Sequence, residues 1–385
     1  TITVIGTSDL HGHVRALPLL AAHLAVLRRE RAADGGAVLL LDAGDMFQGT
    51  LESNLEEGAS VVAAYGALGY DAVAIGNHEF DFGPVGERTT ARDPGDDPRG
   101  ALLARIQQAP FPFLSTNLRR AADNTHPAIG LPSALLTRAG VQVGVIGVTT
   151  EATPHTTIAA NFTGLAVAPL AAAIADEARS LRARGAAIVV VAAHAGGRCT
   201  DFASPDDLTS CSPDQEIMTV AKALPADAVD VIVAGHTHQA MAHRVAGVAI
   251  IQSHARGVAY GRVDLSVDLA TEQSTLLKIH PPRHLCDTPA GDPEASCEAH
   301  GNLGQPLEPD RAVAAVIMAI TIIGIPWARG AWNIAIYTLF PFGQKAVSRE
   351  IYIGQGDFGT GIFGFIGNVI ASRVVDSWGA YRTSL

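Results

Sequence analysis

Residues 72–83 read AVAIGNHEFDFG: an apolar run stops at a glycine and then sets Asn77, His78, Glu79 and Asp81 almost side by side. The apolar half is short and uninterrupted, the form of a strand buried on both faces. The polar half, taken alone, would be an ordinary turn. The same form recurs in ITVIGT (2–7), AVLLLDA (37–43), VQVGVIGV (141–148), AAIVVVAA (186–193) and VDVIVAG (229–235). Helical patterns at about 15–33, 58–69, 100–108, 168–184 and 214–223 fall between these runs. Strand and helix alternate, so the class is α/β with a layered sheet. Residues 241–269 have a hairpin rhythm and predict added antiparallel strands.

Ligands in open α/β sheets gather beyond the carboxyl ends of the strands. SDLHGH brings Asp9 and His11 there, DAGD brings Asp42 and Asp45, and the opening stretch brings Asn77, His78 and Asp81. AAHAGG adds His194, and AGHTHQ adds His236 and His238. Each group alone would pass for a polar turn; five strand ends supplying oxygen and nitrogen donors together form the inventory of a metal site. In an extended Asp9-Leu10-His11 stretch, positions i and i+2 face the same way, and the same is expected of His236 and His238. Mixed carboxylate and imidazole donors suit Mn²⁺, Zn²⁺, Fe or Co²⁺. His13, His155, His243 and His254 are lone histidines and read as surface or hydrogen-bonded core residues.

A chain of 385 residues is long enough for about two domains. Its net charge of -11 is unevenly spread: residues 311–385 hold 6 of the 27 Lys+Arg and 3 of the 38 Asp+Glu, leaving 21 against 35 upstream. So acidic a body repels phosphate backbones and disfavours a nucleic-acid polymer as partner, while a small anionic substrate needs local cations. Oligomeric state has no signature here. Cys199 with Cys211, and Cys286 with Cys297, form two local pairs without zinc-knuckle spacing. They are read as two disulfide-closed loops in an oxidising compartment, the alternative being four unrelated thiols. The chain starts without Met inside an apolar strand, which is read as a processed or truncated N-terminus with any export signal outside it.

SDLHG, AGD, GNHEFD, the lone histidine of AAHAGG and GHTH, in that order, resemble the calcineurin-like metallophosphoesterases. GNHEFDFG and DMFQGT are similar to the branch of 5′-nucleotidases and 2′,3′-cyclic-nucleotide phosphodiesterases. The resemblance covers about residues 1–310 and implies an αββα sandwich holding two divalent metal ions. It makes Asp45 the bridging carboxylate. Asp9, His11 and His238 would complete one metal site; Asn77, His194 and His236 would complete the other. His78 is then free to act as general acid or phosphoryl contact, with Asp81 orienting it and raising its pKa. Glu79 has no metal in the family pattern and is assigned a hydrogen-bonding role. The implied reaction is hydrolysis of small-molecule phosphoesters, nucleotides among them, by metal-activated hydroxide: nucleotide catabolism in a periplasmic, secreted or membrane-attached setting.

The organisation expected is a catalytic domain at 1–280, a Pro/Gly-rich linker at 281–310 and an apolar, aromatic-rich helical tail at 311–385. All three tryptophans and 11 of the 21 aromatic residues lie in that tail. A 5′-nucleotidase would continue instead into a larger domain that clamps the nucleoside base. Residues 312–328 carry no charge, at the short edge of a membrane span, and Trp327, Arg329 and Trp332 follow like an interfacial belt. From about 318 to 370 the tail resembles small bacterial inner-membrane proteins of the YccF type. Three readings of it stand: a membrane anchor, an artificial junction from a fused or misassembled frame, and a buried apolar subdomain. The alternative to a nucleotidase is accordingly a membrane-tethered metal-binding domain without efficient activity.

Overall fold

The computed structural model describes residues 1–287, 299–301 and 304–321. Cys297, most of the Pro/Gly-rich stretch and the tail beyond 321 lie outside the described residues, and with them most of the tail readings.

Strands β1 (Ile2–Thr7), β2 (Ala37–Asp42), β3 (Ala72–Ala74) and β4 (Phe113–Leu114) run parallel to one another. Next come β5 (Leu118–Arg120), β6 (Ser133–Arg138), β7 (Val141–Thr149), β8 (Leu165–Val167), β9 (Ile188–His194) and β10 (Val231–Ala234). The last four strands are β11 (Ala240–Val245), β12 (Val248–Ser253), β13 (Ala259–Asp268) and β14 (Gln273–His284). One six-stranded sheet has the order β14-β13-β1-β2-β3-β4, the other β11-β12-β10-β9-β7-β6, and β5 pairs with β8 separately. The helices are α1 (Leu17–Ala33), α2 (Leu51–Asn54), α3 (Ala59–Leu68), α4 (Gly100–Gln108), α5 (Thr153–Thr156), α6 (Leu170–Ala183), α7 (Glu216–Ala223) and α8 (Arg311–Thr321).

The layering follows from alternation along the uninterrupted apolar strands, because successive side chains leave a strand on opposite faces. Val4, Leu39 and Leu41 enter a core between the two sheets, where they meet Val143, Val190 and Val233. Their neighbours Ile5 and Leu40 turn outward to the core under α1 and α3. In β9, Val189 and Val191 join Ile174 of α6 and Ile217 of α7 in the third core. Two sheets face to face with helices outside both are thus written into the strands. A Cβ on Gly6 would overlap Val233 of the opposing sheet, so glycine permits that close approach.

The hairpin expectation at 241–269 holds in part. β11 and β12 pair antiparallel, but β12 also lies parallel to β10, and β13 crosses to the other sheet to pair antiparallel with β1. β14 continues past residue 280 to His284 as the sheet edge. α8 packs on α1 and α3, burying Val313, Ala314 and Ile317 in their core. Among the described residues no helix is long and apolar enough to cross a membrane. Cys199 and Cys211 form a disulfide; Cys286 is disulfide-bonded too, its expected partner lying outside the described residues.

Candidate metal centre

The parallel strands deliver their first following residues to one end of the sandwich. β1 leads to Asp9 and His11, β2 to Asp45, β3 to Asn77 and His78, and β10 to His236 and His238, while His194 is the last residue of β9. The structure gathers the donor atoms of Asp9, His11 and His238 into one group and those of Asp45, His194 and His236 into a second. Within the second, the Nε2 of His194 lies 3.1 Å from Asp45 Oδ2, 3.0 Å from Asn77 Oδ1 and 3.2 Å from His236 Nδ1. In the first, His11 Nε2 faces His238 Nε2 at 3.0 Å, and Asp9 Oδ1 lies 3.7 Å from the same His238 nitrogen.

The backbone that achieves this differs from the extended geometry expected of the two His/Asp-x-His pairs. Asp9 (φ 52°), His11 (φ 49°), His236 (φ 74°) and His238 (φ 56°) are all left-handed, as is Asp45 (φ 57°). β1 ends at Thr7 and β10 at Ala234, so the chain is already curling when it reaches the donors. Left-handed turns, not a pleat, bring positions i and i+2 together. Non-glycine residues adopt this region at a cost of order 1–3 kcal/mol and hold it only where surrounding contacts over-determine it.

Those contacts are present. The carboxylate of Glu79 accepts from the amides of Gly76 (2.7 Å), Asp45 (2.9 Å) and Met46 (2.8 Å), locking the Asp45 loop to the Asn77 loop. Burial, then the nearby Asp45 charge, raises its pKa to about 7. Asp42 is likewise structural, accepting from Thr7 Oγ1, Tyr65 OH and the amide of Gly44. The amide of His236 donates to Asp9 Oδ1 at 2.9 Å, and the amide of His78 to Asp45 Oδ1 at 2.8 Å.

Backbone carbonyls fix the tautomers. A carbonyl only accepts, so His11 Nδ1–H donates to Gln48 O (2.7 Å) and His194 Nδ1–H to Ala43 O (2.8 Å). Each ring then turns an Nε2 lone pair into its group. Asn77 donates its amide N–H to Thr156 O (2.9 Å), which turns Oδ1 toward His194. Lone pairs therefore converge on His194 Nε2 from Asn77, Asp45 and His236. One proton can answer only one of these acceptors. Burial opposes a charge on His194, yet Asp45 beside it raises its pKa to about 10, while burial and His194 push His236 down to about 4. A divalent cation satisfies all the acceptors at once, and the donor set fits one in each group.

His78 faces the same space. Its Nδ1 lies 2.5 Å from Asp81 Oδ2, and this hydrogen bond raises its pKa to about 9 against partial burial; its ring meets that of His11 edge-on at 5.3 Å. Asp81 is itself held by Thr157 Oγ1–H at 2.9 Å. Burial, followed by the charges of His11 and Arg256 among others, lowers the pKa of His238.

The remaining histidines lie elsewhere. His13 donates to backbone carbonyls of its own turn, His155 is exposed on α5, and His254 stacks loosely on His284. His243 is buried beside Cys199 and Cys211, whose sulfurs are bonded to each other. Sequence reading missed the carbonyls of Gln48, Ala43 and Thr156, which orient donors without any side-chain signature.

A profile of the family described as calcineurin-like phosphoesterase matches residues 2–240, and one described as inner membrane component domain, YccF, matches residues 312–344. Among curated relatives, protein UshA of Escherichia coli K12 is 30% identical over 294 residues, 68% of this chain and 48% of the relative. A snake venom 5′-nucleotidase from Gloydius brevicauda is 34% identical over 167 residues, 40% of this chain and 26% of the relative. The chain spans about half the length of the UshA relatives it matches. Among solved structures, the phosphoesterase YfkN of Bacillus subtilis has a TM-score of 0.62 at 15% identity, covering 87% of this chain and 98% of that one. A 5′-nucleotidase of Staphylococcus aureus has 0.58 at 24%, covering 76% and 55%. At these identities the structures speak for the fold.

Proposed function

The chain belongs to the calcineurin-like phosphoesterase family, hydrolases of phosphoric esters, and from that premise we propose that it hydrolyses phosphate esters of nucleotides with two divalent cations in its two donor groups. The observation that carries the reading is the convergence of lone pairs on His194 Nε2 and His11 Nε2. Asp9, His11 and His238 would hold one cation, Asn77, His194 and His236 the other, with Asp45 between them. When bound, such a pair supplies Lewis-acid activation of water and neutralises phosphoryl charge. Mn²⁺, Zn²⁺, Fe and Co²⁺ all suit these donors.

This chain's own residues supply the rest. Asp81 holds His78 protonated at neutral pH, with its free Nε2–H available to the leaving oxygen. Asn77 contributes a neutral oxygen, keeping negative charge low where a phosphate must approach. Glu79 fixes the two loops in advance, so little reorganisation is left for the reaction. Nucleotide esters are favoured by the names of the 5′-nucleotidase relatives. The Cys199–Cys211 bond supports an extracytoplasmic location.

Titration of the metal-free chain with Mn²⁺, followed by phosphate release from AMP and from p-nitrophenyl phosphate, tests the reading. Two bound ions with turnover are expected. Two ions and no turnover on any phosphoester would favour the tethered, inactive domain.

A further inference from the structure

The mouth of an acidic protein's metal cleft needs fixed positive charge if an anion is to enter it. The crossover between β12 and β13 brings one there. Residues 254–257 are wedged against the donor loops: His254 N–H donates to Gln239 O (2.8 Å), and Ser8 Oγ–H donates to His254 O (3.3 Å). Arg256 N–H donates to the carbonyl of Asp9 at 2.7 Å. A Cβ on Gly257 would come within 2.8 Å of Ala16 Cβ, so the wedge has no slack.

Two facts set Arg256 apart from a turn residue. Its φ is 59°, flanked by His254 at 63° and Gly257 at 67°. Glycine or asparagine would hold that conformation at lower cost, so the turn alone gives no reason for arginine. Its side chain is exposed, and among the described residues no carboxylate pairs with it, whereas Arg262 on the following strand is bound to Asp264 at 2.9 Å. The guanidinium is anchored one residue from a metal-facing carboxylate and is otherwise uncommitted.

Resting on the function proposed above, we propose that Arg256 is the substrate-binding cation of this cleft, its guanidinium receiving the non-bridging oxygens of the phosphoryl group on the His238 side. The planar fork of arginine matches two such oxygens at once, which a lysine ammonium does not.

The test uses the full chain loaded with Mn²⁺ and inorganic phosphate as the probe, measured by calorimetry beside steady-state kinetics. Arg256→Gly keeps the left-handed turn and removes the charge; Arg256→Lys keeps the charge and removes the fork. Arg256→Gly should weaken phosphate binding by about 10–100-fold, with KM for AMP rising in step and kcat held within a few-fold. Metal content should stay at the wild-type value and Tm should not fall, because glycine relieves the backbone. Arg256→Lys should recover part of the affinity. Turnover by the wild type with unchanged phosphate affinity in Arg256→Gly overturns this assignment alone, as does a fall in Tm that accounts for the lost affinity. Arg256-dependent phosphate binding by a chain that hydrolyses no phosphoester sinks the proposed function and leaves the assignment standing. A metal-loaded wild type that binds no phosphate overturns both.

Discussion

The donor loops and α8 are built on opposite terms. The loops place five polar residues in left-handed conformations and hold them with buried hydrogen bonds from every side. α8 has no strained residue: Asp310 caps it, accepting from the amides of Ala312 and Val313 at 2.9 Å, and an apolar stripe lies on α1 and α3. A chemically specific loop announces its role, because few other reasons put those residues in that order. An apolar stripe announces only that it leaves water. Val313, Ala314 and Ile317 would suit a bilayer as well as the core they occupy. With α8 docked through Ile317, only 318–328, eleven residues, remain of the charge-free run, against the roughly 20 that a span requires. Docking and a span beginning at 312 are therefore alternatives for the same residues.

The contrast can be tested by breaking each region in turn. Asp45→Asn should cause the largest loss, abolishing phosphoester turnover and loosening both cations, since it faces the second group and carries the His78 amide. Metal analysis with two ions and near-normal turnover would remove it from the bridging position. His78→Asn should retain both metals and lower kcat by roughly 10²–10⁴-fold, less for p-nitrophenyl phosphate, whose leaving group needs no proton. Equal losses on aryl and alkyl esters would point to phosphate contact instead.

The sign of the pH effect follows from the same pair. His78 is the acid only while protonated, and Asp81 raises its pKa to about 9. Asp81→Asn should lower that pKa and draw the alkaline limb of the rate profile toward neutral pH. An unmoved limb would assign it to another group.

At α8 the effects move from rate to stability. Ile317→Ala should cost about 2–5 kcal/mol, read as a lowered Tm with turnover per folded molecule unchanged. No shift in Tm would mean that the helix is not part of the folded unit. Asp310→Ala, which removes the cap, should cost about 1 kcal/mol and leave metal binding untouched.

Why one region was legible and the other was not comes down to what each residue type can mean. Asp9, His11, Asp45, Asn77, His194, His236 and His238 stood out because polar residues recurred where apolar strands stopped. The parallel strands were legible for the same reason, as runs buried on both faces. β14 was not: QSTLLKIHPPRH mixes charge with Pro281 and Pro282, a composition that an edge strand tolerates and that reads as loop. β5 and β8 are three residues each, too short for any period. Positive φ at the donors was hidden as well, since it comes from contacts far away in sequence.

Burial of both strand faces has a consequence for how this protein can vary over evolutionary time. In β9 each residue is committed to one of two cores, and His194 is the last residue of the strand. Inserting or deleting one residue upstream would exchange the two faces and displace His194 by about 3.3 Å. The strand acts as a ruler that tolerates exchange of one aliphatic residue for another but no change of length. Lineages descending from such a chain should accumulate insertions in the helices' connecting loops and almost none between Ile188 and His194.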